Sequence, residues 1–530
     1  MALTAVHNRM VEGSHTNVID YGAVGDGVAD DTVAIQAALN SLSGGGALLF
    51  PSGTYLVSAQ LNLTGSNITL MGDGDAVIKL KSGDYSATTD LFMFYGAEGM
   101  DNIYFDNLTF DGNRTGVTSG TGSNAIVWLY RTRYSSITNC IVKNPYGGGS
   151  NANAPFCFID SSYDNICNDN TIYADSLDSS FGLCGGIFMQ GGNSVANGNI
   201  IRNMNDVVIV ANGPGSNNFL FNNNFIQSCT AGGIVAENGA SAVTISGNTI
   251  SNINGYGIAA LWIGTPGADS SNISVTGNVI NGTIGVPTSV INGIAIQTAN
   301  YYTVSGNSIN GIGTHDVNNS GISVRGSYGA ITGNTVIGAP RAILVDGDAT
   351  NINISGNTLQ ASSNGVVLTS IIDNIQVSNN HMANVVQGIN KEASATVTDL
   401  TITNNFIDAS SKEYALGNNT STTHKIVDSS KDVYMGTFSL AAPLTITAGS
   451  FATVALDIGA VAYAGGTFDT AAGVSWVAAN NENGQIVCSF NNWANAGVTA
   501  AMHCHNMSGA DIDVQAFNWV AYGKITNYQK

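Results

Sequence analysis

At 530 residues the chain is long enough for a large buried core and more than one domain. Only 10% of its residues are charged, yet its net charge is -20. That balance argues against nucleic acid, whose phosphates call for Lys and Arg, and against an anionic membrane surface. The 64 glycines, with many Asn, Ser, Thr and β-branched residues, point to short strands and turns rather than long helices. Seven cysteines (Cys140, Cys157, Cys167, Cys184, Cys229, Cys488 and Cys504) form no C-x-x-C pair and sit mostly in apolar runs, which suits buried free thiols. The opening "MALTAVHNRMVEG" lacks the apolar core of a Sec signal, and no apolar run is long enough to span a bilayer. The expectation is synthesis in a cytosol and no exit by that route.

The first distinctive stretch is "YGAVGDGVADDTVAIQAAL" (Tyr21–Leu39). Its glycines do not fit a phosphate-binding GxxxxGK[ST] loop. The segment "DDTVAIQAALNSLS" places Val33, Ile35, Ala37, Ala38, Leu39 and Leu42 at helical spacing, with Asp30 or Asp31 as a natural N-cap. "GGGALLFPSGTYLVSAQLNL" then reads as strand, Pro-Ser-Gly turn and strand. A solenoid must cover its open end, and a helix followed by the first strands is expected to plug it.

The middle of the chain repeats. "VTISGNTI", "SVTGNVI", "TVSGNSI", "AITGNTV" and "NISGNTL" are close copies, and "ICNDNTI", "VANGNII", "LFNNNFI", "IQVSNNHM" and "LTITNNFI" are weaker ones. Their last asparagines are Asn170, Asn199, Asn224, Asn248, Asn278, Asn307, Asn334, Asn357, Asn380 and Asn405. Between copies lies a second short strand of the form G-I-x-V. Several short strands per repeat, with Gly and Asn at corners, predict a right-handed parallel β-helix whose rungs stack ~4.8 Å apart. The asparagines are expected to stack as an internal ladder rather than bind a ligand.

After about residue 425 the repeat stops. Strand-like runs "FATVALDI", "GVSWVAA", "GQIVCSF", "GVTAAMHCH" and "DIDVQAFNWVAYGKI" predict a β-sandwich of about 100 residues. His503 and His505 share a strand face while Cys504 points away. With no third ligand in one chain, a packed or interface strand is preferred over a metal site, and no metal or other cofactor is expected.

"NVIDYGAVGDGVADDTVAIQAAL…GGALLFPSGTYLV" resembles the N-terminal segment of the pectate-lyase-3-like β-helix family, which includes polygalacturonase-like enzymes and many bacteriophage tailspikes. The lead-in "NRMVEGSHTNVIDYGA" is similar to the segment before the β-helix in phage tail proteins, and "NMSGADIDVQAF" resembles the end of small tail-fibre and tailspike domains. The resemblance is close over residues 17–60 and continues through the repeats to about 425. It implies an all-β fold: a right-handed parallel β-helix with a short N-terminal capping helix, a C-terminal β-sandwich, and a trimer. The implied division is a lead-in at 1–16, the cap at 17–60, the β-helix at 61–425, and at 426–530 a β-sandwich for trimerisation or carbohydrate binding. Carbohydrate is the implied substrate class.

Aligning the G-I-x-V strands gives one outward column of Gln190, Glu237, Leu261, Gln297, Arg325, Asp346, Thr369 and Glu392. A second column reads Phe188, Val235, Ala259, Ala295, Ser323, Leu344 and Val367. Glycoside hydrolysis needs two carboxyl groups about 5–9.5 Å apart. Asp206 opens "NDVVIVANG" one rung before Glu237, so Asp206 and Glu237 are the first candidate catalytic pair, with Asp175 and Asp178 overhanging in a loop. Arg325 and Asp346 form a second candidate, able to bind an acidic sugar or serve a lyase; the alternative is a surface ion pair. Trp262, Gln297, Tyr301, Tyr302 and His315 lie in or near long loops on the same rungs and are candidate substrate-binding residues.

The leading expectation is a phage tailspike, a homotrimer that binds and depolymerises bacterial surface polysaccharide by endo-glycosidic hydrolysis. Its other partner is a baseplate or tail protein; it neither binds nucleic acid nor inserts into a membrane. It is made in the host cytoplasm, sits in the virion and acts outside the cell. A polysaccharide lyase and a non-catalytic receptor-binding spike are the alternatives.

Overall fold

The computed structural model describes residues 15–411 except 86–89, 119–121, 148–152, 178–181, 214, 254–258, 265–268, 284–291, 314–315 and 393, and beyond them the backbones of strands as far as Thr526. The chain divides into two units, residues 1–326 with 337–340, and residues 327–336 with 341–530.

In the first unit each turn of chain contributes three short strands to three parallel stacks. One stack runs through Leu91–Gly96, Asn124–Tyr130, Phe156–Tyr163, Ile187–Gly192, Ile209–Asn212, Ile234–Glu237, Ala259–Ile263, Asn292–Ile296 and Ser320–Val324. Every neighbouring pair in it is parallel, as coils wound in one direction require. The result is a parallel β-solenoid, and α1 (Thr32–Asn40) is the single α-helix among the described residues.

Alternation sets the core. Ile187, Met189, Ile234, Ala236, Leu261 and Ile263 point inward and are fully buried. Burying one such side chain stabilises the fold by about 1.5–3 kcal/mol, repeated at every rung. At the N-terminal turns the interior holds Phe94, Phe105, Phe110 and Phe156 in edge-to-face contacts of 5.4 to 6.4 Å.

The asparagines form the expected ladder. Asn170 donates from Nδ2 to Oδ1 of Asn199 at 3.0 Å, and Asn199, Asn224, Asn248 and Asn278 each repeat the bond to the next at 2.9 Å, as far as Asn307. Each Nδ2 also reaches a backbone carbonyl, so these buried amides are satisfied. The second unit has its own ladder, Asn334 to Asn357 to Asn380 to Asn405. The residue before a ladder asparagine is left-handed, with φ of 64° at Gly247 and Gly277, 57° at Asp169 and 54° at Asn223. That requirement explains why the repeats read GN, DN or NN.

At the N-terminus, α1 buries Ile35, Ala38 and Leu39. The aspartates before it share the work expected of one cap. Asp30 accepts from Thr32 N at 3.2 Å and Thr32 Oγ1 at 2.6 Å. Asp31 occupies the cap position, but its carboxylate accepts from Val24 N and Gly25 N at 2.6 and 3.2 Å, tying the preceding loop to the helix. Gly25 has φ of 67°, and a Cβ there would sit 2.8 Å from the Tyr55 ring.

In the second unit parallel pairing continues to His424–Asp428, which then pairs antiparallel with Val433–Ile446. The following strands are antiparallel: Val433–Ile446 and Gly473–Ala478 flank Ile512–Tyr522, and Phe451–Asp457 and Ile486–Trp493 flank Thr499–Asn506, the strand of His503 and His505. Cys140, Cys157, Cys167, Cys184 and Cys229 are buried free thiols, and burial pushes those of Cys140, Cys184 and Cys229 up to about 12. Among the described residues no helix is long and apolar enough to cross a membrane.

Candidate active site

A groove of about 570 Å³ lies on the outer face of the first stack. Two outward columns build it. The first runs Tyr95, Trp128, Cys157, Phe188, Val210, Val235 and Trp262, each paired to the next. The second, at the far end of the same strands, places Asn212 beside Glu237 in register. Trp128, Phe188, Val210, Asp206, Glu237 and Trp262 all line the groove.

Glu237 ends strand Ile234–Glu237, and its Oε1 accepts from Nδ2 of Asn212 at 2.6 Å. Asn212 in turn accepts from Gln190 Nε2 at 3.2 Å, and Gln190 Oε1 accepts from Asp160 N at 2.9 Å. This polar relay crosses successive rungs and fixes the Glu237 carboxyl. Asp206 sits just before strand Ile209–Asn212, its Oδ1 accepting from Val207 N at 2.8 Å. Burial raises the pKa of both carboxyls. For Glu237 the Asn212 bond works against that rise, and the negative charge of Asp206 adds to it. The two groups therefore face shared space.

Aromatic rings extend the wall. Phe92 stacks on Trp128 at 4.5 Å and on Tyr95 at 5.9 Å, over a buried patch of Ala125, Ala154 and Cys157. Such faces fit the C–H faces of sugar rings.

The structure brings together three of the residues expected from sequence, Asp206, Glu237 and Trp262, on one groove. Asp178 and His315 lie outside the described residues. Asp175 exchanges two hydrogen bonds with Asn144 at 2.8 and 2.9 Å. Gln297 follows strand Asn292–Ile296 and is not among the groove's lining residues. Tyr301 is exposed, but Tyr302 turns inward, 2% exposed, its hydroxyl donating to the Gly326 carbonyl at 3.4 Å. An inward Tyr302 cannot meet a polysaccharide, which corrects its assignment as a sugar contact. Arg325 is exposed beyond strand Ser320–Val324. Asp346 belongs to the other unit, where its Oδ1 accepts from Gly347 N, Thr369 Oγ1 and Ser370 Oγ at 2.6 to 2.8 Å, the role of a turn-forming carboxylate.

The sequence columns need two corrections. Leu261 pairs with Ile234 and is interior, so the position after Glu237 in its column falls to Gly264; likewise Trp262, not Ala259, follows Val235. The strand Ile209–Asn212 lacks the G-I signature and dropped out of the alignment, taking Asn212 with it. Trp128 was missed for the same reason. Among the described residues no cluster of three or more His, Cys, Asp or Glu is placed to hold a metal ion.

Residues 15–259 match the family described as rhamnogalacturonase A/epimerase, pectate lyase-like. Mannuronan C5-epimerase AlgE5 of Azotobacter vinelandii is 42% identical over 115 residues, 20% of this chain and 11% of that protein. Alginate lyase 7 of the same organism is 38% identical over 108 residues, 18% of this chain and 13% of that protein. The chain thus spans a fifth or less of the curated relatives' own length. A mutant tailspike protein of E. coli bacteriophage HK620, in complex with a hexasaccharide, superposes with a TM-score of 0.62 at 12% identity, over 97% of this chain and 96% of that one. The catalytic unit of an α-1,3-glucanase from Streptomyces thermodiastaticus gives 0.50 at 17% identity, over 77% and 70%. Residues 15–259 are thus similar to the pectate lyase-like family, and the fold of the chain is the parallel β-helix also found in a phage tailspike.

Proposed function

We propose that the chain is an endo-glycosidase that binds bacterial surface polysaccharide along this groove and hydrolyses it with Glu237 as proton donor and Asp206 as the partner carboxylate. The observation that carries the reading is the convergence of two half-buried carboxyls on one aromatic-walled groove. The electrostatics divide their roles. Burial, with a smaller contribution from the charge of Asp206, raises the pKa of Glu237, the direction a proton donor needs, and Asp206 is assigned the ionised role. A protonated Glu237 can pass its proton to the glycosidic oxygen as the bond to the anomeric carbon breaks. The ionised Asp206 then either attacks that carbon or takes a proton from an attacking water, and the configuration of the first-formed sugar distinguishes the two.

The HK620 tailspike lends support of the same kind: it holds a pentasaccharide as a double mutant in which one aspartate and one glutamate are changed to alanine. On this reading the chain is a homotrimeric tailspike, carried in the virion through a baseplate or tail protein and acting outside the host cell. The C-terminal antiparallel strands would form the sandwich that trimerises or binds sugar, and α1 would cap the solenoid.

The curated epimerases and alginate lyase 7 favour a second reading, β-elimination or epimerisation with Arg325 near a carboxylate. Incubation with purified surface polysaccharides separates the readings. Hydrolysis gives new reducing ends and no ultraviolet-absorbing product. An unsaturated, absorbing end group overturns it in favour of the lyase.

A further inference from the structure

The charges around the groove bear on the kind of ligand it can take. Across the span from Ser123 to Trp262 that supplies the groove's described lining, the cationic residues are Arg131, which is paired with Glu98 and Asp160, Arg133, Lys143 and Arg202, and none of them is among the described lining residues. Arg202 is on a different stack, paired with Tyr173 and Gln227, and its guanidinium lies over the Phe225 ring at 5.4 Å. The span from Lys143 to Arg325 carries nine carboxylates, Asp160, Asp164, Asp169, Asp175, Asp178, Asp206, Glu237, Asp269 and Asp316. Of the charged residue types, only Asp206 and Glu237 are among the described residues that line the groove.

We infer that the groove takes an uncharged polysaccharide, recognised through sugar C–H faces, hydroxyls and amides rather than through carboxylates or phosphates. This rests on the reading of the groove as a polysaccharide site and narrows its substrate class. An anionic repeat is normally met by Arg or Lys, most specifically by the bidentate guanidinium fork. Here it would be met by the ionised Asp206 and the acid Glu237, with no cation among the described lining residues, and like charges in contact at an interface are strongly unfavourable. A bridging divalent cation would need a ligand cluster, and the described residues provide none. The polar lining is instead neutral, with Ser123, Asn153, Gln190 and Asn212 able to donate to or accept from hydroxyl and acetamido groups. Trp128 and Phe188 supply apolar faces for stacking.

The test uses the full chain against purified bacterial O-antigens and capsules, with each uronate-bearing polymer, alginate and polygalacturonate included, paired with its carboxyl-reduced form. Binding is followed by affinity electrophoresis and cleavage by loss of chain length. The expected result is binding and cleavage of neutral polymers, at least about tenfold preference for any reduced form over its acidic parent, and affinity insensitive to salt. Cleavage of an acidic polymer in preference to its reduced form overturns the inference while leaving a depolymerase. Failure to bind or cleave any polymer overturns both readings together.

Discussion

Asn212 donates from Nδ2 to Oε1 of Glu237 across 2.6 Å, from the rung immediately before it in the stack. That bond stabilises the ionised carboxylate and so opposes the rise imposed by burial. Removing it has a definite sign. In Asn212→Ala the Glu237 pKa rises further. If Glu237 is the proton donor, activity is lost as pH climbs through that pKa, so the alkaline limb of the pH–rate profile moves to higher pH. A pH profile of kcat/KM for wild type and variant checks this; a limb that stays still or moves to lower pH contradicts it.

The same carboxyls trade stability for function. Asp206 and Glu237 both have folded pKa values above their ordinary values of 3.8 and 4.5, so the folded state binds these protons more tightly than the unfolded chain. Stability from this source is present at low pH and lost as pH rises from about the ordinary carboxylate values through the raised ones. Glu237→Gln and Asp206→Asn are therefore expected to raise Tm at pH 7, with the gain shrinking as pH falls toward 4. Thermal melts across that range test it, and a lower Tm at pH 7 counts against the burial argument.

The asparagine ladder gives a structural prediction. Asn248 accepts from Asn224 at 2.9 Å and donates to Asn278 and to the Phe221 carbonyl. Asn248→Ala removes partners from buried groups on the two neighbouring rungs, Asn224 N and the Phe221 carbonyl among them, at a cost of about 1–3 kcal/mol for each group left unsatisfied. Denaturant melts should show a loss of at least about 2 kcal/mol, whereas an exposed strand asparagine such as Asn310 should cost under about 0.5 kcal/mol when replaced.

Lys391 is a different case. It pairs with Leu368 on the inward side, is 2% exposed, and its Nζ has no hydrogen-bond partner among the described residues. Burial lowers its pKa below 10.5, so the wild type gains stability as pH rises through that lowered value toward 10.5. Lys391→Met is expected to raise Tm at pH 7 and to flatten that dependence; a lower Tm would show that the ammonium has a stabilising role.

Regular parts of this molecule were readable from sequence because one physical rule repeats. A left-handed residue followed by a ladder asparagine leaves the same GN or NN mark at each turn, and the mark located the stack correctly from Asn170 to Asn405. The groove was harder. Its columns depend on strand register, and the strand carrying Trp262 pairs three residues away from where its Gly-Ile pair suggested. Asn212 and Trp128 stand on strands without that pair. Tyr301 and Tyr302 looked alike in sequence, and a left-handed turn at Tyr301, φ 57°, leaves one out and the other in. Asp206 and Glu237 were singled out because hydrolytic chemistry asks for two carboxyls and few lie on these rungs, and both line the groove.

The most direct measurement is turnover and binding by Glu237→Gln and Asp206→Asn on a polysaccharide that the wild type shortens. The account predicts that each variant keeps affinity within about threefold while release of reducing ends falls at least about 100-fold, the size expected when a general acid or its partner is removed. Undiminished release from both variants would contradict it and move the chemistry away from this groove.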